Sequence, residues 1–304
     1  PADPRVPPGA GSRMTEFSFV HMADPQIGLF AASSGLTPEE IARFLKRGIK
    51  IRPAPKTDSL DAERDLFTAA IDATNDLGAK FAVVCGDIVN SPSNPAQLKI
   101  AREIAAQLDD PIALKWVPGN HEIAPDYRTP SPELLAWYRG EFGDDYYSFT
   151  EDGVTFLVLN STILNSPGTT GDEADNQMSF IEDALVKARS IGTDAIAAFS
   201  HHPPFLKSPD EPDCEWTISG DLRGPLMDLF YKHGVSTVFS GHWHRNNIAN
   251  SNGLEVVCSG PVGYPLGDDP SGYRVVRYKD GAFEHEYRRL GPTPDNSAIE
   301  SVGT

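Results

Sequence analysis

Eight polar side chains of the types that bind metal ions or move protons stand just after short apolar runs of the sequence. Asp24 and Gln26 follow the run "FSFVHM", Asp87 follows "FAVVC", and the others follow three later runs. In an open α/β sheet the residues beyond the carboxyl ends of the strands share one edge, where such sheets bind their ligands. We therefore expect a single site built from Asp24, Gln26, Asp87, Asn120, His121, His201, His242 and His244.

The mixture of donor atoms in this set predicts a pair of metal ions. Carboxylate and amide oxygens combined with imidazoles suit Mn, Fe or Zn, whereas a calcium site would be nearly all oxygen. Asp87 has two carboxylate oxygens and could bridge two ions. His242 and His244 are two residues apart, so in an extended strand end both rings would point to the same face. Glycines 86, 119 and 241 would let the backbone turn tightly beside the ions.

Each of these residues also has a simpler interpretation. Asp87 taken alone is better explained by a turn or helix cap, and His201 taken alone by a hydrogen-bonded interior imidazole. Caps have no reason to gather at one sheet edge in this order, so the set as a whole favours a metal centre.

Short apolar runs alternate with amphipathic segments along the chain, which predicts an α/β fold with a mixed sheet arrangement. Two hairpins are also predicted, with turns at Glu151-Asp152-Gly153 and Asp280-Gly281. The predicted strands are 17–22, 81–85, 113–117, 155–160, 195–200, 235–240 and 254–259. The predicted helices are 59–77, 95–108, 131–141, 174–191 and 221–233.

No repeat or long linker divides the 304 residues, so we expect one domain over residues 14–290, with a native start at Met14. Residues 1–13 and 291–304 are rich in Pro, Gly, Ser and Asp and are predicted to be loose tails.

The net charge of −17, from 26 basic and 43 acidic residues, argues against nucleic acid and membrane surfaces as partners. Any binding of phosphate must therefore be local. The longest apolar runs are too short to cross a bilayer. Cys85, Cys214 and Cys258 are isolated and odd in number, which favours reduced thiols and a cytoplasmic location.

The order of motifs D-x-Q, GD, GNHE, HHPP and GHWH, from Asp24 to His244, resembles the calcineurin-like metallophosphoesterases. The stretches "GDDYYSF", "GVTFLVLNS", "VFSGHWHRN" and "LGDDPSGYRVV" narrow the resemblance to small stand-alone members of the serine/threonine-phosphatase-like branch. The resemblance implies a four-layer αββα sandwich of two mixed sheets flanked by helices.

The same resemblance implies a binuclear centre of two divalent ions. One ion would be bound by Asp24, Gln26, Asp87 and His244, and the other by Asp87, Asn120, His201 and His242. His121 would be the catalytic imidazole beside them. Most of the superfamily has His at the position of Gln26, and an amide oxygen is a weaker donor than an imidazole to Mn, Fe or Zn. The first ion would therefore be held less tightly or would be a harder metal.

The implied reaction is hydrolysis of a phosphomonoester by a hydroxide that bridges the two ions, with His121 assisting the leaving oxygen. Among the implied ligands only Asp24 and Asp87 carry charge, so two divalent ions leave a surplus of about two positive charges for a phosphate. The substrate would be a phosphorylated small molecule or a phosphoprotein, with phosphoserine or phosphothreonine suggested by the resemblance. A phosphodiesterase, for example on a cyclic nucleotide, and a non-catalytic scaffold are the alternatives.

Several nearby residues could shape the substrate site. His202 and Arg245 are candidates for contacting the phosphate, although an Arg at such a position is more often at the surface or paired with Asp. The basic stretch from Lys46 to Lys56 could bind a second phosphate or an acidic peptide, or simply be a solvated face. Glu122 is interpreted as structural or solvated, Trp243 as a packing residue, and Trp216 as a plausible apolar contact.

Overall fold

The computed structural model of the protein describes residues 16–125 and 129–291. The predicted native start at Met14 lies outside these residues, as do the predicted tails, apart from Gly291.

The first candidate ligands follow the parallel strands of a five-stranded sheet. Its order is β11-β10-β1-β2-β3, in which β1, β2 and β3 are parallel and β10 and β11 are antiparallel neighbours. Val20 on β1 pairs with Ala82 on β2, and Val84 on β2 pairs with Trp116 on β3. The strands are β1 (Glu16–Met22), β2 (Phe81–Cys85), β3 (Ala113–Val117), β10 (Gly272–Lys279) and β11 (Ala282–Arg289).

The later candidate ligands follow strands of a second, six-stranded sheet of order β4-β5-β6-β7-β9-β8. Its four middle strands are parallel, and β4 and β8 are antiparallel edges. The strands are β4 (Tyr147–Glu151), β5 (Val154–Leu159), β6 (Ala195–Ser200), β7 (Thr237–Ser240), β8 (Asn247–Ser251) and β9 (Leu254–Cys258).

The two sheets pack face to face, and helices cover their outer faces. The side chains of β1 alternate between these two layers. Phe19 points into the core between the sheets, while Val20 packs towards the helices. Phe19 stacks on Phe81 and meets Phe199 and Phe239 of the second sheet edge to face. These layers confirm the predicted four-layer αββα sandwich.

Two pairs of long helices form the outer layers. One apolar core joins the first sheet to α3 and α4, and another joins the second sheet to α8 and α9. The helices are α1 (Leu29–Ser33), α2 (Pro38–Lys46), α3 (Asp61–Leu77), α4 (Pro95–Ala105), α5 (Asn120–Ile123), α6 (Pro132–Phe142), α7 (Ser161–Asn165), α8 (Glu173–Ser190) and α9 (Gly220–His233). None of the helices within residues 16–125 and 129–291 is both long and apolar enough to cross a membrane.

Both predicted hairpins are confirmed, with positive φ at Asp152, Gly153, Asp280 and Gly281 as their tight turns require. A third hairpin joins β8 to β9 through Asn252-Gly253 and was not predicted, although Asn-Gly is a strong turn signal.

Helix α2 was likewise not predicted. Thr37 caps it and accepts a hydrogen bond from the Glu40 nitrogen, while the Glu40 carboxylate accepts one from the Thr37 nitrogen. This capping box, with Pro38 at the first helical position, was a readable helix signal.

Candidate metal centre

The candidate ligands lie in the loops that leave the carboxyl ends of β1, β2, β3, β6 and β7. Eight non-glycine residues of the described chain have positive φ, and three of these lie in hairpin turns. A non-glycine residue in this conformation is strained by about 1–3 kcal/mol, and such strain clusters at functional sites. The remaining five are all candidate ligands: Asp24, Gln26, Asp87, His242 and His244.

Asp87 lies at the centre of two groups of potential ligands. It forms one group with His201 and His242 and another with Asp24 and His244, and within each group the donor atoms lie within 4.8 Å of one another. Asp87 Oδ2 is 3.3 Å from His201 Nε2, and Asp24 Oδ1 is 3.3 Å from His244 Nε2. The geometry therefore suits two ions that share the Asp87 carboxylate.

The two amide side chains complete these groups. Asn120 Oδ1 lies 3.0 Å from His201 Nε2, beside the first group. The Gln26 side chain donates from Nε2 to Asn90 Oδ1 at 3.3 Å, while its Oε1 is buried without a hydrogen-bond partner in the described part of the chain. A buried carbonyl oxygen without a donor is costly, and a cation would satisfy it.

Main-chain carbonyls fix the orientation of the three histidines. His201 Nδ1 lies 2.9 Å from the Cys85 oxygen, His242 Nε2 lies 2.9 Å from the Glu215 oxygen, and His244 Nδ1 lies 2.7 Å from the Tyr264 oxygen. A neutral imidazole has one N–H, and each carbonyl takes it. The opposite nitrogen of each ring is then a lone pair that faces the centre, as in metal-binding histidines generally.

Two of these lone pairs face each other directly. His201 Nε2 and His242 Nδ1 are 3.0 Å apart, which is unfavourable for two acceptors unless a proton or a metal ion lies between them. Burial would lower the pKa of His201, but the carboxylate of Asp87 outweighs it and raises that pKa to about 9. Burial and the neighbouring His201 lower the pKa of His242 to about 4. A proton on His201 or a bound metal ion would therefore satisfy the pair.

The expected geometry of His242 and His244 is wrong in one respect. The two residues do not lie in an extended strand end, since both have positive φ in a bent loop after β7. His242 joins Asp87 and His201 in one group of donor atoms, and His244 joins Asp87 and Asp24 in the other.

Glycines allow the loops to approach one another. A Cβ atom on Gly119 would lie 2.1 Å from the Asp87 nitrogen, and one on Gly241 would lie 2.5 Å from Asp24 Oδ2. Glu122 is fully buried and accepts hydrogen bonds from the nitrogens of Asp87, Ile88, Val89 and Gly119 at 2.8–3.1 Å. It is therefore structural, and the solvated alternative is wrong.

His121 is the second residue of the short helix α5 and lies beside Asp87. Its main-chain nitrogen donates to Asp87 Oδ1 at 2.9 Å, and its ring Nδ1 lies 2.7 Å from the Asn90 carbonyl oxygen. The ring lines a cavity that also reaches Gln26, Asp87, His242 and His244. A proton on Nδ1 is thus held by a carbonyl, and Nε2 is left for chemistry in the cavity.

The two substrate candidates differ in position. His202 is buried, lines the cavity, and has its ring 4.1 Å from that of His242, with Nδ1 3.0 Å from Ser161 Oγ. Arg245 is not among the cavity residues of the described chain; its guanidinium lies over Trp243 and donates to the Leu266 oxygen at 2.9 Å and to that of Gly48. The geometry brings His202 to the centre and turns Arg245 away from it.

Sequence reasoning missed two further cavity residues. Thr162 is buried, and its Oγ1 has no hydrogen-bond partner in the described chain. It follows the carboxyl end of β5, so the rule that found the other residues could have found it. Asn90, which lies between Gln26 and His121, was likewise readable as a polar residue after β2.

Comparison with known proteins agrees with this geometry. The family model described as calcineurin-like phosphoesterase matches residues 17–246. The chain is 34% identical to the serine/threonine-protein phosphatase CPPED1 of Danio rerio over 94% of this chain and 89% of that protein. The same-named protein of Homo sapiens is 34% identical over 90% of this chain and 84% of its own length.

Solved structures show the same fold. A dimetal phosphatase from Danio rerio matches 89% of this chain and 98% of its own, with a TM-score of 0.55 and 17% identity. The purple acid phosphatase PPD1 of yellow lupin matches 91% of this chain and 52% of its own, with a TM-score of 0.58 and 15% identity. The family match and the close relatives together show that this chain belongs to the calcineurin-like phosphoesterases and is a metal-dependent phosphatase.

Proposed function

We propose that this protein hydrolyses phosphomonoesters at a binuclear centre in which Asp87 is shared. The observation that carries the proposal is the position of Asp87 in both groups of donor atoms. The main-chain nitrogen of His121 donates a hydrogen bond to the same carboxylate. The donor set fits two divalent ions: Asp24, Gln26, Asp87 and His244 would hold one, and Asp87, Asn120, His201 and His242 the other. Bound ions of Mn, Fe or Zn would lower the pKa of a water and attract the phosphate.

The side chains of this protein have two tasks in such a reaction. The carbonyls of Cys85, Glu215 and Tyr264 hold the histidine lone pairs towards the centre, which keeps the donors oriented without rearrangement. His121 supplies the proton. The Asn90 carbonyl holds a proton on Nδ1, so the protonated ring can donate from Nε2 to the leaving oxygen.

The bond changes balance without a covalent enzyme intermediate. A water oxygen forms a new bond to phosphorus and one proton of that water is released. The ester P–O bond breaks, and the alcohol leaves with the proton from His121, which the released proton replaces. The products are inorganic phosphate and an alcohol.

The names of the relatives support a substrate class for this chain. The curated relatives named above are serine/threonine-protein phosphatases, and we extend this to phosphoserine or phosphothreonine as substrates of this chain. A cytoplasmic location is supported by three unpaired cysteines, of which Cys214 is exposed.

The test compares 4-nitrophenyl phosphate with bis(4-nitrophenyl) phosphate, using protein loaded with Mn, Fe or Zn. We expect monoester hydrolysis to dominate, and dominant diester hydrolysis would overturn the proposal. His121→Ala should keep its metal content by elemental analysis and lose about 100-fold or more in kcat, the range of general acid catalysis. His233→Ala is the matched control, since His233 ends α9 before β7 begins, away from the centre. Unchanged kcat in His121→Ala would remove this residue from the mechanism.

A further inference from the structure

The cavity at the metal centre extends well beyond the space that a phosphate needs. Its volume is about 470 Å³, within the range of pockets that bind whole organic molecules. One side is polar and includes Asn90, His121, Thr162 and His202. Another side is apolar and includes residues that pack around one small core: Leu29, Leu36, Phe44, Ile49, Trp216 and Leu266.

The apolar side is built mostly by the segment between β1 and α3. Helix α2 turns Phe44 inwards and leaves Leu45 outside with 60% exposure. Ile49 and Ile51 are buried against Tyr264, forming a small apolar core of their own. This core belongs to neither sheet, so its apolar residues are available to shape the cavity.

Hydrogen bonds attach this segment to the loop that follows β9. The Lys50 nitrogen donates to the Leu266 oxygen at 2.9 Å, and the Arg52 nitrogen donates to the Tyr264 hydroxyl at 2.8 Å. At its start the segment is attached to α3, because the Phe30 nitrogen donates to Glu63 at 2.6 Å. The apolar side is thus in place without a ligand.

The basic residues of the segment contribute to these attachments. Arg52 donates to the oxygens of Pro265 and Gly267 at 2.8 and 2.9 Å, and Lys50 pairs with Asp268. Arg47, which lines the cavity, pairs with Glu215. These contacts do not favour the second phosphate site that the basic sequence suggested, because carboxylates already pair with Arg47 and Lys50 and carbonyls already accept from Arg52.

Trp216 connects the apolar side to the metal centre. Its ring centroid lies 5.5 Å from that of His242, and the Glu215 carbonyl next to it orients the same histidine. A group attached to a phosphate at the centre would therefore meet an apolar surface within a few bonds. Burying such a group is favourable by about 25 cal/mol per Å² of apolar surface, whereas an unpaired polar group would lose free energy there.

We propose that the apolar side of the cavity binds an apolar group that the substrate carries next to its phosphate. The proposal rests on the phosphomonoesterase function above and specifies its substrate class. Such a group could be the alkyl or aryl part of a small phosphate ester, or a large apolar side chain beside a phosphorylated serine. Both sources present the same chemistry to Phe44, Trp216 and their neighbours.

The main experiment uses primary n-alkyl phosphates from methyl to pentyl with manganese-loaded protein. Their leaving alcohols have similar pKa values, so chain length changes burial and little else. Each methylene that becomes buried should raise kcat/KM up to about fourfold. We expect pentyl phosphate to exceed methyl phosphate by at least about tenfold. A second readout is calorimetric affinity for methyl- and pentylphosphonate, which are not hydrolysed.

Adjacent residues of α2 supply a matched pair of variants. Phe44→Ala should reduce the pentyl-to-methyl ratio to about threefold or less, since it removes part of the apolar side. Leu45→Ala should keep the wild-type ratio, because Leu45 points to solvent. Phosphoserine peptides with Ala or Leu beside the phosphorylated residue distinguish the source: a preference for Leu indicates a peptide, and a preference only among alkyl phosphates indicates a small ester.

The possible failures are distinguishable. One outcome is that kcat/KM depends neither on chain length nor on the residue beside the phosphoserine, and that both phosphonates bind equally. This result would overturn the apolar subsite and leave the phosphomonoesterase function intact. Affinity that rises with phosphonate chain length in a protein that hydrolyses none of the esters would support the subsite and overturn the proposed function.

Discussion

The Glu122 carboxylate accepts a hydrogen bond from the main-chain nitrogen of Asp87 at 3.0 Å, although the two residues are 35 positions apart in the sequence. Three more main-chain nitrogens donate to the same carboxylate, two from the loop after β2 and one from Gly119. One buried side chain therefore holds together the two loops that carry Asp87, Asn120 and His121. Burial and the nearby charge of Asp87 raise the pKa of Glu122 to about 8, and the hydrogen bonds from the Val89 and Gly119 nitrogens oppose this shift.

Glu122→Gln should weaken the protein and its metal centre together. The new amide would point its own N–H groups at buried donors, and each unsatisfied buried group costs about 1–3 kcal/mol. We expect a loss of about 3 kcal/mol in the free energy of unfolding, measured by urea denaturation, and a lower metal content. Glu286→Gln is the control, since that carboxylate is 70% exposed and should change stability little. A Glu122→Gln variant as stable as the control would contradict the role of Glu122.

Gln26→His should increase the retention of metal. The Gln26 oxygen is a buried acceptor with no hydrogen-bond partner among the described residues, and an imidazole is a stronger donor to Mn, Fe or Zn than an amide. Metal content after dialysis against increasing chelator should therefore stay higher in the variant. Gln107→His adds the same ring at an exposed position and should behave as the wild type. Equal loss of metal from both variants would place Gln26 outside the ligand set.

Substitution of Gly by Ala should have opposite effects on stability at two positions. A Cβ atom on Gly119 would overlap Asp87, so Gly119→Ala should cost about 3 kcal/mol or more of stability. Gly140 lies in the exposed face of α6 with nothing within 4 Å of a Cβ, so Gly140→Ala should stabilise the helix by about 0.5–1 kcal/mol. Thermal unfolding of both variants measures the contrast, and similar melting temperatures would refute the close approach of the two loops.

Glu63 should make stability depend on pH. Burial raises the pKa of Glu63 to about 7, above the ordinary value of 4.5 expected for the unfolded chain. The folded state therefore binds more protons than the unfolded state between these values, so this group's contribution to stability falls as the pH rises from about 4.5 past 7. The loss amounts to about 3 kcal/mol at most.

The Glu63→Gln variant isolates this contribution because it cannot ionise. The free energy of unfolding of the wild type, minus that of the variant, should be smaller at pH 8 than at pH 5. Urea denaturation at both values measures it. A difference that stays constant with pH would show that Glu63 remains ionised, held by its hydrogen bond from the Phe30 nitrogen.

The periodicity of the chain was sufficient to predict most of the fold. All seven predicted strands are present within two residues of their predicted bounds, because buried parallel strands appear as short, nearly continuous apolar runs. The segments that were missed, α1, α2, α5, α7 and β8, are short, and their stability depends on packing or on turn chemistry more than on a long apolar period.

The sequence by itself determined which residues could form the centre, because ligand chemistry depends on residue type and because strand ends share an edge. Only the tertiary structure decided how they meet. The direction of each ligand side chain depends on the left-handed backbone at Asp24, Asp87, His242 and His244. It also depends on main-chain carbonyls that are far away in the sequence and orient His201 and His244. Such contacts join loops of two different sheets, so no local pattern records them. The apolar side of the cavity is decided in the same way, since Phe44 and Leu266 are adjacent only after folding.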